Sequence, residues 1–224
     1  MNDAGLTVMH LDLPVTPERL AALELGSVVY LNGVIYTARE GVYQRVLEQG
    51  HALPGGLAEI SDTNFHCSPA AARREDGSYN IGAVTATASF RFSKWMREWF
   101  EISGAKIIIG KGGMSGENYR NVFVPAGAVY LTTVGYGTGA LLGRAITNVA
   151  DVHWLDALGI AQAIWVLEVK EFGPLIVDCD AAGNSFFEAQ NAKINAGIDA
   201  AYAGLKAPIL SRYGETSKRD DEVI

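Results

Sequence analysis

A lysine in a glycine-rich turn is the feature of this sequence that most directly suggests chemistry. Gly110-Lys111-Gly112-Gly113-Met114-Ser115 follows the apolar residues 107–109. Glycines let main-chain N–H groups approach an anion, and Lys111 adds a positive charge to the turn. The spacing differs from that of a phosphate-binding P-loop, which requires GxxxxGK followed by Ser or Thr. The segment therefore predicts either an anion-binding turn or a tight turn that carries a solvated lysine.

A second glycine-rich segment has the form of a dinucleotide-binding turn. Gly135-Tyr136-Gly137-Thr138-Gly139-Ala140 reads GxGxxA between a predicted strand and a predicted helix. Asp156 is the nearest candidate for the acidic residue that would bind a ribose, and no βαβ order precedes the segment. Nucleotide binding is therefore one interpretation, and close packing of a small-residue helix on a strand is the one that we favour.

The other nucleophiles, bases and metal ligands form no recognisable constellation. Cys67 and Cys179 lie far apart and form no CxxC pair, so we expect two buried cysteines rather than a disulfide framework or a zinc ribbon. No GxSxG segment is present. The sequence therefore predicts no catalytic triad and no metal site in this chain, and its histidines are scattered: His10, His51, His66 and His153.

Composition and charge exclude several classes of partner. The chain has 224 residues and is 49% hydrophobic and 19% charged, as expected of a folded globular protein. Its formal net charge is -7 and no basic run exceeds Arg73-Arg74, so nucleic acid and anionic membranes are poor partners. Apolar runs are far shorter than the roughly 20 residues that span a bilayer, and the N-terminus lacks a signal-peptide pattern. We expect a cytoplasmic protein without a membrane segment.

Turn residues and hydrophobic periodicity predict an α/β domain with a mixed sheet. Thr16-Pro17-Glu18 predicts a capped helix that ends at Gly26, and Asn32-Gly33 between two apolar runs predicts a β-hairpin. A turn is also expected at Asp76-Gly77. Further helices are predicted over 39–49, 138–146 and 188–205, and strands over 60–67, 80–86, 106–109, 128–134, 163–169 and 175–179.

An aromatic stripe predicts a core helix that ends at Gly104. The stripe has helical spacing and consists of Phe92, Trp95, Met96, Trp99 and Phe100. We expect residues 1–210 to form a single domain and the polar, aperiodic residues 211–224 to form a flexible C-terminal tail.

Six segments, taken in order, resemble the β subunit, equivalent to the C-terminal domain, of the iron-sulfur hydro-lyases. These enzymes comprise the class I fumarases and L(+)-tartrate dehydratase. The resemblance extends over residues 26–188 and implies the swivelling β/β/α three-layer domain with a mixed sheet. The segments that carry it are 26–40, Phe65-His66-Cys67-Ser68-Pro69, 87–91, 110–114, Val152-His153-Trp154, and 169–177 followed by Gly183-Asn184.

The same resemblance implies a partner and a cofactor. The active site of this family lies at the interface with an α subunit, which carries a 4Fe-4S cluster on three cysteines. This chain would then bind a small dicarboxylate substrate and hold no cluster itself. An α2β2-type hetero-oligomer is also implied, and the two distant cysteines of this chain agree with a cluster that is held elsewhere.

Family roles transfer to four positions of this sequence. The resemblance assigns Arg39, Arg91 and Lys111 as substrate-binding cations, and Thr87 and Lys111 as catalytic residues, with Thr87 abstracting the proton. Removing a proton beside a carboxylate builds negative charge, which fixed cations stabilise. The chain departs from the family's usual Gly-Pro-Thr-Thr at residues 85–88, where it has Thr-Ala-Thr-Ala, and Tyr43 stands where a histidine is common.

The sequence thus predicts a hydro-lyase subunit. We expect the β subunit either of L(+)-tartrate dehydratase or of a class I fumarate hydratase, active only with its α subunit. The altered segment 85–88 suggests an alternative, a non-catalytic binding or scaffold domain of the same fold.

Overall fold

The computed structural model describes residues 6–135 and 137–204. The chain divides after Glu188 into two compact units, and most of the described part of the second unit, residues 189–204, is helical. The domain end predicted at residue 210 and the tail predicted over 211–224 lie outside the described residues.

The described strands form a seven-stranded mixed sheet and a two-stranded hairpin. The sheet order is β1-β2-β3-β6-β7-β9-β8, in which the first five strands are parallel and β9 runs antiparallel to β2, β7 and β8. Because β9 pairs with both β2 and β7, the strands β2, β3, β6, β7 and β9 close into a ring. The strands are β1 (Val8–Asp12), β2 (Val28–Thr37), β3 (Thr63–Phe65), β4 (Cys67–Arg73), β5 (Tyr79–Ala86), β6 (Ile107–Gly110), β7 (Val129–Thr133), β8 (Ile146–His153) and β9 (Ile164–Cys179).

Short helices make most of the connections in the described residues. They are α1 (Pro17–Ala21), α2 (Glu40–Tyr43), α3 (Leu57–Ile60), α4 (Met96–Ser103), α5 (Gly116–Asn118), α6 (Val124–Ala126), α7 (Thr138–Arg144), α8 (Leu155–Leu158) and α9 (Phe186–Tyr202). π-Helical turns follow α2 over Gln44–Glu48 and α5 over Tyr119–Phe123, and a 3-10 helix over Ser89–Trp95 leads into α4. None of the described helices combines the length and apolarity needed to cross a bilayer.

Side chains of the parallel strands alternate between two cores. Ile107 and Ile109 of β6 belong to a core that includes Trp165 of β9, whereas Ile108 belongs to a core that includes Trp99 of α4. Strand β6 is apolar at successive positions because both of its faces are buried. The β4–β5 hairpin contributes to the first core, together with Leu20 of α1 and Leu142 of α7, whereas α2 and α4 contribute to the second, so the predicted β/β/α arrangement is confirmed.

Several local signals are also confirmed. The predicted aromatic stripe lies in the second core, although its first turn is a 3-10 helix, and Gly104 ends α4 in the left-handed conformation. The Thr16 hydroxyl caps α1 by accepting a hydrogen bond from the Arg19 N–H, but this helix ends at Ala21 rather than at Gly26. Residues 74–78 form the turn of the β4–β5 hairpin.

The hairpin predicted at Asn32-Gly33 is wrong, because β2 runs through this pair as one strand. The Asn32 side chain donates to Asp12 Oδ1 at 3.2 Å and accepts the Glu171 N–H at 2.8 Å. Gly33 has a φ of 123°, and a Cβ at this position would lie 3.0 Å from the carbonyl oxygen of Leu13. The register between β2 and β9 shifts here, so the pair marks a bulge rather than a turn.

Other predicted boundaries also differ from the structure. The strands predicted over 163–169 and 175–179 form one long strand, β9, in which Glu171 has a φ of 52°. Sequence reasoning missed β1 and β8, which are the two edge strands of the sheet. Their burial patterns contain few fully buried residues, so their apolar alternation is weak.

Close packing is present at the GxGxxA segment. A Cβ on Gly139 would lie 2.5 Å from the Val84 carbonyl oxygen, and one on Gly143 would lie 2.7 Å from the Gly82 carbonyl oxygen. Helix α7 therefore lies directly against the main chain of β5, an approach that side chains at these two positions would prevent. Gly139 of this segment and Gly143 beyond it thus have the expected packing role, whereas nothing lies within 4 Å of a Cβ on Gly135 or Gly137.

Candidate active site

The Lys111 turn is joined to the end of the β4–β5 hairpin. The Lys111 N–H donates to the Thr87 carbonyl oxygen at 3.2 Å, and the Ser89 N–H donates to the Lys111 carbonyl oxygen at 3.1 Å. The Thr87 N–H in turn donates to the His66 carbonyl oxygen at 2.6 Å. The two residues predicted to be catalytic, Thr87 and Lys111, are therefore neighbours in space.

Their side chains differ in exposure. Thr87 is 8% exposed, whereas Lys111 is exposed. Within residues 6–135 and 137–204, the ion pairs do not include Lys111 or Arg91. In that part of the chain both cations therefore lack a protein carboxylate that would compete with an acidic ligand.

Arg39 lies between β2 and α2 and is held by main-chain and side-chain acceptors. Its Nη1 donates to the Ser68 hydroxyl oxygen and to the Ala161 carbonyl oxygen, the latter at 2.9 Å. The Ser68 hydroxyl also donates to the Ala161 carbonyl oxygen at 3.1 Å. Gln162 Oε1 accepts the Gly41 N–H at 2.6 Å, which fixes the adjacent start of α2. The half-buried guanidinium therefore has a defined position rather than a solvated one.

Electrostatic effects connect Arg39 with the rest of the group. Partial burial lowers the pKa of Arg39, the neighbouring Cys67 raises it, and the positive charge of Arg91 lowers it further. The charge of Arg39 also contributes, after burial, to lowering the pKa of His66, whose carbonyl oxygen holds Thr87. Arg91 itself lies in the 3-10 helix after Thr87 and over the ring of Phe92, at 5.4 Å from the ring centre. The four predicted site residues thus belong to one region.

The two glycine-rich segments of the sequence border a common cavity. This cavity has a volume of about 190 Å³, and Lys111 lies on its wall together with Thr85, Thr133, Gly135 and Thr138. Lys111 therefore belongs both to the group of cations and to a concave surface lined with hydroxyl groups.

A buried carboxylate fixes the glycine-rich turn. The Tyr119 hydroxyl accepts the Met114 N–H at 2.8 Å and donates to Asp178 Oδ2 at 2.5 Å. Burial raises the pKa of Tyr119, and the charge of Asp178 raises it further, so the hydroxyl stays protonated and donates. Gly113 has a φ of 69°, and a Cβ there would lie 2.3 Å from Asp178 Oδ2. Glycine is therefore required at this position.

The cysteines of the chain do not fit an iron-sulfur cluster. Cys67 begins β4 and Cys179 ends β9, and they are 1% and 0% exposed. Burial raises the pKa of both thiols and so disfavours the thiolate form that binds metal. In the described part of the chain, no three His, Cys, Asp or Glu side chains form a group that could hold a metal ion.

Sequence reasoning missed the buried polar residues that hold the main chain of the site in place. His66 and Ser89 are fully buried, as is Asp178, and each is bonded to a residue distant in sequence. The available signal was a polar residue directly beside an apolar strand or helix. Such a signal cannot identify the bonding partner, since that depends on how the strands are ordered in the sheet.

The β/β/α layers define an α/β domain, and Arg39 and Lys111 follow the ends of two of its strands. Comparison with known proteins identifies the family of this domain. The model of the Fumarase C-terminus family matches residues 2–190. The chain belongs to this family.

Three relatives illustrate the membership. A Methanocaldococcus jannaschii protein, provisionally named L(+)-tartrate dehydratase subunit beta, is 37% identical over 183 residues, which are 80% of this chain and 91% of that protein. The L(+)-tartrate dehydratase subunit beta of Escherichia coli K12 is 31% identical over 213 residues, 92% of this chain and 95% of that subunit. A Geobacillus stearothermophilus protein, provisionally named fumarate hydratase class I, is 32% identical over 186 residues, 83% of this chain but 35% of that longer protein.

Proposed function

We propose that this chain is the β subunit of an iron-sulfur-dependent hydro-lyase. Its substrate is a four-carbon 2-hydroxy dicarboxylate: the enzyme dehydrates L-tartrate to oxaloacetate or interconverts malate and fumarate. It is active only with an α subunit, in an α2β2-type assembly in the cytoplasm. The names of the relatives support the reaction class and the partner.

The observation that carries the proposal is the main-chain pairing of Lys111 with Thr87, beside Arg39 and Arg91. A dicarboxylate carries two negative charges, and three cations in one region suit such a ligand. Arginine can bind a carboxylate with two parallel hydrogen bonds, whereas the flexible lysine can follow a charge as it moves.

The proposed reaction assigns a task to each residue. Thr87 takes the proton from the carbon beside a carboxylate, and the cations stabilise the negative charge that builds on that carboxylate. Losing one such donor costs on the order of 10²–10³ in rate. A threonine hydroxyl is a weak base, so Thr87 requires activation by an adjacent cation or by a residue of the partner subunit.

The 4Fe-4S cluster of this proposal belongs to the α subunit, since the buried cysteines of this chain do not suit it. When bound there, the cluster supplies a Lewis-acidic iron toward the hydroxyl that leaves. The task of this chain is to bind and orient the carboxylates and to accept the proton.

Co-expression with the α subunit tests the proposal. The complex, purified without oxygen, is assayed with L-tartrate, malate and fumarate, and each subunit is assayed alone. We expect turnover by the complex and none by this chain alone, and comparing the substrates distinguishes tartrate dehydratase from fumarase. Turnover without the α subunit, or a complex inactive on all three acids, contradicts the proposal. If Lys111→Ala and Arg91→Ala each left the activity within about threefold, the scaffold alternative would be favoured.

A further inference from the structure

A chain of buried hydrogen bonds lies beneath the Thr87–Lys111 pair. The Asn64 amide donates to the Tyr43 oxygen, the Tyr43 hydroxyl contacts His66 Nε2, and His66 Nδ1 contacts Ser89 Oγ, each at 2.7 Å. The Tyr130 hydroxyl donates to the same Ser89 oxygen at 2.7 Å. All five side chains are 0% exposed. None of them has a task in the proposed reaction.

The hydrogen-bond donors determine which group donates and which accepts at each step from Asn64 to Ser89. Because the Asn64 nitrogen can only donate, the Tyr43 oxygen accepts there and its one proton is directed to His66 Nε2. Burial, with a smaller effect from Arg39, lowers the pKa of His66 to about 3, so the ring is neutral at physiological pH. Its remaining proton is then on Nδ1 and is donated to Ser89.

Ser89 connects these buried hydrogen bonds to the main chains of Thr87 and Lys111. Its oxygen accepts from His66 and Tyr130, which leaves its own proton for the Thr87 carbonyl oxygen at 3.5 Å. Its main-chain N–H donates to the Lys111 carbonyl oxygen. A single serine therefore contacts both partners of the main-chain pair.

The space around Ser89 is fitted to its hydroxyl group. A Cβ on Gly110 would lie 1.9 Å from Ser89 Oγ and 2.5 Å from the Tyr130 hydroxyl oxygen. Any other residue at 110 would push both hydroxyl groups away. The glycine just before Lys111 thus serves to admit Ser89, in addition to starting the turn.

We infer that His66 is a positioning residue that fixes the Thr87–Lys111 pair through Ser89. The inference rests on the proposed function, and it assigns the histidine no contact with substrate. Its physical basis is that productive geometry requires supporting hydrogen bonds that lock each main-chain segment, since small displacements are costly in rate.

Two substitutions of His66 separate positioning from mere stability. In His66→Asn the amide nitrogen takes the place of Nδ1 and still donates to Ser89, whereas in His66→Gln it takes the place of Nε2 and reaches only Tyr43. We expect kcat of the α-subunit complex to fall on the order of tenfold or more in His66→Gln, and to stay within about threefold in His66→Asn. Ser89→Ala should lower kcat by about as much as His66→Gln. The double variant, which carries both substitutions, should lose no more kcat than either single variant.

Ser103→Ala is the matched control. Ser103 is also a buried serine, and its hydroxyl donates to the Trp99 carbonyl oxygen at 2.7 Å within α4. This variant should lower the melting temperature and leave kcat unchanged. Equal loss of kcat in His66→Asn and His66→Gln, or full kcat in Ser89→Ala, overturns the inference.

Amide hydrogen exchange of the full-length chain gives a readout that does not require catalysis. His66→Gln and Ser89→Ala should speed exchange at the Ser89 and Lys111 amides, and His66→Asn should not. If the wild-type complex is inactive while the amides respond in this way, the proposed function fails and the positioning role stands. Unchanged exchange in His66→Gln contradicts the positioning role, whatever the activity.

Discussion

Lys111 and Thr87 are bound through their main chains, with the Lys111 N–H donating to the Thr87 carbonyl oxygen at 3.2 Å. The first residue follows β6 and the second follows β5, so a strand of the sheet and a strand of the hairpin end at the same point. Any movement of one strand end against the other would alter the distance between the ammonium and hydroxyl groups. This relationship makes the two residues a sensitive place to test the proposed chemistry.

Removing the ammonium group of Lys111 should impair turnover far more than folding. Lys111 is exposed, so Lys111→Met should change the melting temperature little. We expect kcat/KM of the complex for its dicarboxylate to fall on the order of 10²–10³. Lys170→Met, at an exposed position of β9, is the control and should retain normal kcat/KM. Steady-state kinetics at several ionic strengths measure both variants.

Thr87 can be tested with two substitutions that separate shape from chemistry. Thr87→Val keeps the shape but lacks the hydroxyl, and kcat should fall by roughly 10² or more, as for loss of a general base. Thr87→Ser keeps the hydroxyl and should stay within about tenfold of the wild type. Exchange of the substrate C–H proton with deuterated water measures this step directly. If Thr87→Val exchanged the substrate proton at the wild-type rate, another group would have to take the proton.

The fold could be predicted where the sequence pattern reports which faces of an element are buried. The apolar strand β6 and the aromatic stripe of α4 are examples, because each places large side chains at the spacing of its element. Asn32-Gly33 misled for a physical reason. This pair favours a hairpin locally, but the contacts of Asn32 with Asp12 and Glu171 keep it inside a strand.

The cations of the candidate site can be proposed from the sequence, whereas the buried residues that support them cannot. Glycines around Lys111 are visible in the sequence, and ordered motifs indicate Arg39, Thr87 and Arg91. The bond between His66 and Ser89 is not visible, because it forms only once the helix after β5 packs on the sheet. Buried polar groups are paired by tertiary structure, which local patterns do not encode.

Asp178 should be essential for the order of the glycine-rich turn. This fully buried carboxylate accepts hydrogen bonds from the Tyr119 and Ser185 hydroxyls and from the Phe187 N–H. Asp178→Asn replaces an acceptor by a donor, so we expect a loss of about 1–3 kcal/mol in the free energy of unfolding. Urea titration measures it, with the exposed Asp156→Asn as control. An unchanged midpoint in Asp178→Asn would contradict the importance of these bonds.

The glycines of α7 provide a test that separates packing from nucleotide binding. A Cβ on Gly143 would lie 2.9 Å from the Ala83 Cα, so Gly143→Ala should destabilise the protein by about 1–3 kcal/mol. Gly55→Ala is the control: nothing lies within 4 Å of its Cβ, so the change should stay within about 0.5 kcal/mol. NAD or ATP should not raise the melting temperature of the wild type, and a clear rise would favour nucleotide binding at this segment.

Burial of a neutral His66 should make the protein sensitive to acid. The pKa of His66 is lowered from 6.5 to about 3, with burial as the main cause. Between these two values the unfolded chain binds a proton that the folded chain does not, so stability falls as the pH drops below 6.5. From pH 7.5 to pH 5 this one group should lower the free energy of unfolding by about 2 kcal/mol.

His66→Gln lacks the titrating ring and should lose that much less stability over the same interval. Urea unfolding of both proteins at the two pH values measures the difference, in which the titrations that they share cancel. Equal losses in the two proteins would mean that the folded ring binds a proton by pH 5, which would contradict the lowered pKa of His66.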